Sequence, residues 1–283
     1  MALQFHSLPV ALTVAGSDSG GGAGIQADLK TFMALGAYGT SAITAITAQN
    51  PEGVTAIQPI DPPVVAAQIQ AVAAWFEIGA AKTGMLFSAP VIEAAAAALG
   101  ALRKPREALT PGERPPLVVD PVMVATSGAK LLNDDAIGAL ETHILPLATL
   151  ITPNVDEAAI LSGRPVRTAG HLEEAARAIF GRFGAAVLVK GGHLAGGEEA
   201  VDCFYDGGEP RAFRDPFILG VNTHGTGCTL SAAIAVHLMR GWPTVDAVGE
   251  GRRFLRHTLG SALPVGRATV LNHAFAPLPL EAM

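Results

Sequence analysis

Asn222-Thr223-His224-Gly225-Thr226-Gly227-Cys228-Thr229 runs directly into an apolar helical pattern that extends from Leu230 to Met239. Two glycines bracket the predicted start of this helix. The N–H groups of a first helical turn have no partner within the helix, so they form an anion site. Glycine also allows a ligand to approach the backbone closely. An anionic group is therefore predicted to bind at this helix start, beside Gly225, Thr226, Gly227 and Cys228.

The same strand–loop–helix order occurs at the beginning of the chain. Leu8 to Val14 is predicted to be a buried strand, Gly16 to Gly22 a glycine-rich turn, and Ala23 to Leu35 a helix with its apolar residues on one face. Strand and helix patterns alternate along the rest of the chain, with a β-hairpin predicted for 200–214. This alternation is typical of an α/β fold with a mostly parallel central sheet and helices on both faces.

Ligands of such sheets bind beyond the carboxyl ends of the strands. In this chain polar side chains stand at the ends of the predicted strands: Asp18, Gln49, Asp120, Asn154 and Lys190. We therefore expect the functional site at this edge of the sheet.

Composition limits the possible classes of protein. The chain has 283 residues, of which 49% are hydrophobic, and a net charge of −6. Residues 1–283 are predicted to form one domain, with the proline-rich stretch 103–116 as a surface loop. No cluster of basic residues suggests a nucleic-acid surface, and no stretch is apolar enough to span a membrane. With no signal-peptide pattern and only two cysteines, a cytoplasmic protein is expected.

Each motif also has a structural explanation. Gly22-Ala23-Gly24-Ile25-Gln26-Ala27 fits the dinucleotide pattern G-x-G-x-x-A, but no acidic residue follows at the expected distance, so a tight turn is an equal alternative. Asn154 and Glu157 could orient phosphate and Mg²⁺, or could form a helix capping box. Asp120 could be a turn residue, and Lys190 could neutralise phosphate or extend into solvent.

Cys228 has three interpretations. It could be a buried structural thiol, a base activated by the helix N-terminus, or a nucleophile for acyl transfer with His224 as its partner. A site that stabilises negative charge at a helix start favours phosphoryl transfer.

Taken together, the motifs resemble the ribokinase-like superfamily and, within it, the hydroxymethylpyrimidine/phosphomethylpyrimidine kinases of thiamine biosynthesis. The resemblance covers nearly the whole chain and rests on the following segments: 15–31, 35–39, 48–50, 82–85, 119–123, 151–158, 190–193 and 222–231.

The resemblance implies a role for each matching residue. The aminopyrimidine would be bound by Gly16, Asp28, Gln49 and Met85. The transferred phosphoryl group would lie in the loop Gly225–Cys228, with Cys228 as the base and Lys190 offsetting phosphate charge. Nucleotide and Mg²⁺ would be handled by Asn154, Glu157, Lys190 and Thr223, with Glu157 and Asp120 nearest the metal. The family is typically homodimeric.

The hypothesis is therefore ATP- and Mg²⁺-dependent phosphorylation of 4-amino-5-hydroxymethyl-2-methylpyrimidine, and then of its monophosphate to the diphosphate. A pyridoxine or pyridoxal kinase of the same fold is one alternative. A non-catalytic sensor of pyrimidines or nucleotides and a thiol acyltransferase are two others.

Overall fold

The computed structural model describes residues 8–103, 114–123, 132, 134–192, 194 and 199–274. Most of the predicted surface loop 103–116 lies outside the described residues, as does His193 of the segment 190–193.

A nine-stranded sheet forms the centre of the molecule, in the order β3-β2-β1-β4-β5-β6-β7-β8-β9. Its strands are β1 (Val10–Asp18), β2 (Tyr38–Asn50), β3 (Gly53–Pro59), β4 (Ile78–Thr83), β5 (Leu117–Val119), β6 (Leu150–Ile151), β7 (Ala186–Lys190), β8 (Glu199–Tyr205) and β9 (Arg211–Pro216). Six neighbouring strands are parallel to one another: β2, β1, β4, β5, β6 and β7. The outer strands β3, β8 and β9 are antiparallel to their neighbours. The predicted α/β class is confirmed.

Helices cover both faces of the sheet. They are α1 (Gly24–Ala34), α2 (Pro62–Trp75), α3 (Ala89–Gly100), α4 (Asp134–Ala139), α5 (Val155–Ser162), α6 (Ala169–Phe183), α7 (Thr226–Met239) and α8 (Thr244–Gly260). One apolar core joins α2 to α6 with one face of the sheet. A second core joins α1, α7 and α8 with the other face. Among the described residues, no helix has the length and apolar character needed to cross a membrane.

Helix α7 is apolar on every side because it lies between the sheet and other helices. It contacts β1, β4 and β5 on one side and both α1 and α8 on the other. Every residue from Thr229 to Leu238 is buried. A helix that is hydrophobic all round is stable in water only in such an enclosed position, and this position fixes its N-terminus above the ends of the central strands.

Several predicted boundaries were wrong. Strand β1 continues through Gly16 to Asp18, because this segment stays paired with β2 as far as Thr47. Strand β3 had no prediction, and it forms a hairpin with β2 through a turn at Pro51-Glu52. The pattern of residues 133–145 predicts one helix, but α4 ends at Ala139 and a π-helical turn, Leu140–Ile144, follows. A short C-terminal hairpin, β10 (Leu263–Val265) with β11 (Ala268–Val270), was also missed.

Candidate active site

The parallel strands end at one edge of the sheet, which we call the site edge. Strand β1 ends there in Asp18, β2 in Gln49 and Asn50, and β7 in Lys190. Asp120 follows β5 directly. The order of the strands therefore brings together most of the polar residues predicted from the sequence.

Two glycine-containing loops touch at the site edge. The first, residues 19–24, connects β1 to α1 and is called the glycine loop; the second, Gly225–Cys228, begins α7 and is called the anion loop. Gly225 has φ +85°, and a Cβ atom there would lie 1.8 Å from the carbonyl oxygen of Gly22. Gly24 has φ +57°, and a Cβ atom there would lie 2.4 Å from the oxygen of Gly16. Only glycine fits at either position, so the two loops are in direct backbone contact.

The anion loop is stabilised by its own hydrogen bonds. Thr226 donates from its backbone N–H and from Oγ1 to the carbonyl oxygen of Thr223, at 3.2 and 2.8 Å. The side chain of Asn222 accepts the N–H of His224 at 2.9 Å. These bonds hold the segment that leads into α7, and binding of an anion at the start of this helix stays a prediction.

Beside the anion loop lies a pair of opposite charges. Lys190 Nζ donates to Asp120 Oδ1 at 2.9 Å. A Cβ atom at Gly227 would be 3.2 Å from Asp120 Oδ2 and 3.3 Å from Lys190 Nζ. Asp120 and Lys190 therefore lie directly against the bare backbone of Gly227, where even a methyl group would be tight. Burial would lower the pKa of Lys190, but Asp120 and Glu157 outweigh burial and raise it, so the ammonium stays charged.

Asn154 and Glu157 form the capping box that the sequence offered as one of two readings. Asn154 Oδ1 accepts the N–H of Glu157, and Glu157 Oε2 accepts the N–H of Asn154, both at 2.9 Å. The other carboxylate oxygen, Oε1, accepts the N–H of Met123 at 3.1 Å. Burial, reinforced by Asp120 and opposed by Lys190, raises the pKa of Glu157 to about 7. The cap thus also fixes the loop after β5.

That loop is strained next to Asp120. Val122 has φ +41°, a conformation that β-branched residues rarely adopt and that costs on the order of 1–3 kcal/mol. The hydrogen bond from Met123 to Glu157 holds the adjacent residue in place. Backbone strain of this kind concentrates at functional sites.

Cys228 is partly buried at the start of α7. The helix N-terminus alone would lower the pKa of its thiol. Burial is the larger effect and raises the pKa to about 11, with Lys82 opposing it and both Asp28 and Asp120 adding to it. Burial thus outweighs the helix N-terminus, and the protonated thiol is the favoured form at neutral pH.

Asp28 does not occupy the predicted substrate-binding position. Its carboxylate is fully enclosed and accepts from Lys82 Nζ at 2.9 and 2.8 Å. Thr13 Oγ1 donates to the same carboxylate at 2.6 Å. Because both oxygens are occupied by protein donors inside the core, we correct the prediction: Asp28 is the partner of a buried lysine. Lys82 had been noticed only as part of a matching segment, because nothing in the sequence pairs it with Asp28.

The other predicted substrate residues lie at the ends of three neighbouring strands, with Gly16 in β1, Gln49 in β2 and Met85 just after β4. A Cβ atom at Gly16 would be 2.5 Å from Met85 Cε, so the methionine side chain lies flat on this glycine. Thr44 Oγ1 donates to the carbonyl oxygen of Met85 at 2.6 Å and fixes that loop. Gln49 lies nearby, half-buried, on the strand next to β1.

Asp18 and His224 connect the two sides of the site. Asp18 accepts backbone N–H groups of the glycine loop from Gly20 at 2.8 Å and from Ala23 at 2.8 Å. His224 Nε2 lies 3.0 Å from Asp18 Oδ2. Burial alone would raise the pKa of Asp18, but the hydrogen bonds from His224, Ala23 and Gly20 outweigh burial and lower it. From the sequence, His224 could be a phosphate-binding loop residue, a polar lining residue or an acyl-transfer partner for Cys228; in the structure its Nε2 lies beside Asp18.

The site fits a phosphate-bearing nucleotide with Mg²⁺. The helix start at the anion loop suits phosphate oxygens, and Lys190, which lies against Gly227, supplies a positive charge. Among the described residues, no three His, Cys, Asp or Glu side chains cluster closely enough to hold a metal by themselves. Mg²⁺ commonly uses only one or two carboxylates, with water and substrate phosphate as the other ligands. Asp120 and Glu157 are the two candidates, and Glu157, whose oxygens both accept backbone N–H groups, would act through water.

Comparison with protein families gives one matching family. Residues 18–273 match the family described as phosphomethylpyrimidine kinase. The hydroxymethylpyrimidine/phosphomethylpyrimidine kinase of Rhizobium meliloti is 48% identical over 271 residues, which cover 94% of this chain and 97% of that protein.

Two further relatives differ in length or name. The thiamine biosynthesis bifunctional protein ThiED of Geobacter sulfurreducens is 47% identical over 94% of this chain, which spans 52% of the length of that protein. The solved ADP complex of Bacillus subtilis pyridoxal kinase superposes with a TM-score of 0.82 at 34% identity, covering 95% of this chain and 98% of that one.

Proposed function

Because this chain belongs to the phosphomethylpyrimidine kinase family, we propose that it transfers a phosphoryl group from ATP to 4-amino-5-hydroxymethyl-2-methylpyrimidine. A second transfer to the monophosphate then gives the diphosphate used in thiamine biosynthesis. The observation that carries the proposal is the direct contact between the anion loop and the glycine loop. This contact supports a phosphate-binding role for the start of α7 close to Gln49, whose side chain lies 3.3 Å from His224.

Each residue of the site has a distinct task in this proposal. Gln49 binds the ring, and the side chain of Met85 packs against it. The N–H groups of the anion loop stabilise the charge that develops on the transferred group, and Lys190 neutralises it further. Cys228 accepts the proton of the substrate hydroxyl in the first transfer. In the second transfer the attacking phosphate oxygen is already ionised, so no base is required.

Mg²⁺ and nucleotide complete the proposed site. Asp120 and Glu157 are the candidates to hold the metal, which when bound supplies charge neutralisation at the phosphate oxygens. Asn154 and Thr223 lie on the phosphate side of the site and are the candidates to contact the nucleotide. The solved ADP complex of the B. subtilis pyridoxal kinase supports the use of an adenine nucleotide.

The experiment is to incubate the purified protein with the pyrimidine and Mg-ATP and to follow the products by mass spectrometry. We expect the monophosphate first, then the diphosphate, and neither product when EDTA removes the metal. Pyridoxine is the parallel substrate, because a structural relative is a pyridoxal kinase. Phosphorylation of pyridoxine alone would favour that second function. Binding of the pyrimidine without any phosphorylated product would leave the sensor alternative.

The proposal includes a homodimer. The β2–β3 hairpin leaves Ile46 and Val54 about half exposed, and α2, which packs on β2, leaves Val64 and Trp75 exposed. Neighbouring exposed apolar side chains of this kind mark interaction surfaces.

A further inference from the structure

His224 lies in the narrow space between the two loops of the site. Its Nε2 atom is 3.0 Å from Asp18 Oδ2 and 3.3 Å from Gln49 Nε2. The ring fits there because Gly22 has no side chain: a Cβ atom at that position would be 2.7 Å from His224 Cδ2. One ring nitrogen therefore faces an acidic residue and a substrate-binding residue at the same time.

This nitrogen can satisfy both neighbours in only one arrangement of protons. An ionised Asp18 accepts hydrogen bonds and donates none, so it requires a hydrogen on His224 Nε2. With that hydrogen in place, Nε2 has no lone pair left for an N–H group of Gln49. The amide of Gln49 must then turn so that its oxygen, Oε1, faces the histidine.

Thr47 supports the same orientation from the other side of the amide. Thr47 Oγ1 is 2.8 Å from the carbonyl oxygen of Ser17 and 3.1 Å from the amide of Gln49. Its single hydrogen goes to the Ser17 oxygen, which leaves the hydroxyl oxygen free to accept from the Gln49 amide nitrogen. Asp18, His224, Gln49 and Thr47 then form one chain in which every donor meets an acceptor.

The amide of Gln49 retains one free N–H and one free lone pair in this arrangement. These are the groups that an aminopyrimidine edge requires, since a ring nitrogen accepts and the adjacent exocyclic amine donates. We propose that His224, held by Asp18, is a positioning residue for specificity, which fixes the orientation of the Gln49 amide and so the donor–acceptor pattern offered to the pyrimidine. This inference rests on the proposed function and concerns its substrate.

A double-mutant cycle tests the inference through binding alone. Calorimetry without ATP gives the Kd of the hydroxymethylpyrimidine for the wild type, His224→Ala, Gln49→Ala and the double variant. We expect His224→Ala to weaken binding about tenfold, the value of one well-placed hydrogen bond. Because His224 acts through Gln49, the double variant should bind no more weakly than Gln49→Ala. His224→Gln, whose amide can still donate to Asp18 and Gln49, should recover most of the affinity.

Two controls separate positioning from a general effect. His171→Ala, in the first turn of α6 on the other side of the sheet, should leave the Kd unchanged. The Kd of a non-hydrolysable ATP analogue should change less than about twofold in His224→Ala, because the substitution removes contacts to Asp18 and Gln49 and leaves the backbone N–H groups of the anion loop in place.

Additive losses in the cycle, or an equal loss of nucleotide affinity, would overturn the inference while leaving the proposed function intact. Failure of the wild type to bind or phosphorylate the pyrimidine would instead overturn the proposed function.

Discussion

Two effects act in opposite directions on the pKa of the Cys228 thiol. Its position at the first turn of α7 favours the thiolate, but its burial favours the thiol and raises the pKa to about 11. Lys82 lies close enough to offset part of this burial effect. A base of this kind works through its small thiolate fraction, which grows with pH.

The two phosphorylation steps should therefore respond differently to pH. Below a pKa of about 11 the thiolate fraction rises about tenfold per pH unit, so the rate of the first step should rise between pH 7 and 9. The second step should stay nearly flat, because its attacking phosphate is ionised throughout this range. Single-turnover rates of each step across this pH range provide the measurement.

Substitution of Cys228 should also affect the two phosphorylation steps differently. Cys228→Ala should slow the first step by about a hundredfold or more, as for other general bases, and remove its pH dependence, while the second step changes much less. Cys203→Ala is the matched control, because Cys203 is the other free thiol and lies in β8; both rates should stay at wild-type values. Equal losses in both steps for Cys228→Ala would contradict the base role.

The sequence alone indicates several candidate site residues, because each belongs to a short motif at the end of a predicted strand or at the start of a helix. They are the glycines of the anion loop, Cys228 and Lys190. The partnership of Lys82 with Asp28 could not be identified in this way. It joins residues 54 positions apart in the sequence. An isolated acidic residue on a helix usually lies on the solvated surface, so nothing in the sequence indicates that Asp28 is buried.

At the scale of elements, the Asp28–Lys82 pair joins α1 to β4 inside the core. Both side chains are fully buried, and Thr13 of β1 adds a third contact. The attraction of Asp28 outweighs burial and raises the pKa of Lys82. Removing one member of such a pair leaves an uncompensated buried charge.

Asp28→Asn should therefore lower the stability of the protein much more than its substrate affinity. We expect a loss of about 3–5 kcal/mol in the free energy of unfolding, measured by urea denaturation. Thr13→Val, which removes only the hydroxyl donor, should cost about 1–3 kcal/mol. The double variant Asp28→Leu/Lys82→Met should be more stable than Asp28→Asn alone, because no charge stays buried.

A different outcome would restore the sequence-based prediction. If Asp28→Asn kept wild-type stability and raised only the KM for the pyrimidine, with the KM for ATP unchanged, Asp28 would be a substrate ligand after all.

The long elements were predictable because their apolar periodicity extends over several turns, as in α2, α6 and α8. Strand β3 was not, since its residues are mostly exposed and show no buried face. The extension of β1 through Gly16 was hidden because glycine and serine are typical of turns, whereas here the pairing with β2 decides the conformation.

At the scale of the molecule, the sheet topology follows from the alternation of strands and helices, which requires parallel neighbours joined by crossovers. The order in which the strands pair could not be read from that alternation. It places β1 between β2 and β4, and so brings the loop after β1 beside the start of α7, which packs on β1, β4 and β5.

The proposed homodimer predicts a specific change in molecular mass. Ile46→Glu places a charge on the exposed face of the β2–β3 hairpin and should convert the protein to a monomer, as measured by light scattering after size exclusion. Leu263→Glu, equally exposed at the C-terminal hairpin, is the matched control and should remain dimeric. A wild type that is monomeric, or an Ile46→Glu variant that stays dimeric, would contradict this surface.

The contact between the glycine loop and the anion loop has a consequence for biosynthesis. Asp18 and His224 are 206 positions apart, so the ribosome has made most of the polypeptide before the two halves of the site can meet. A nascent chain that stops before α7 already contains Gln49, Asp120 and Lys190 but lacks the anion loop. Catalysis therefore begins only when the late part of the chain has closed onto the early part, and no N-terminal fragment can be a smaller working version of the enzyme.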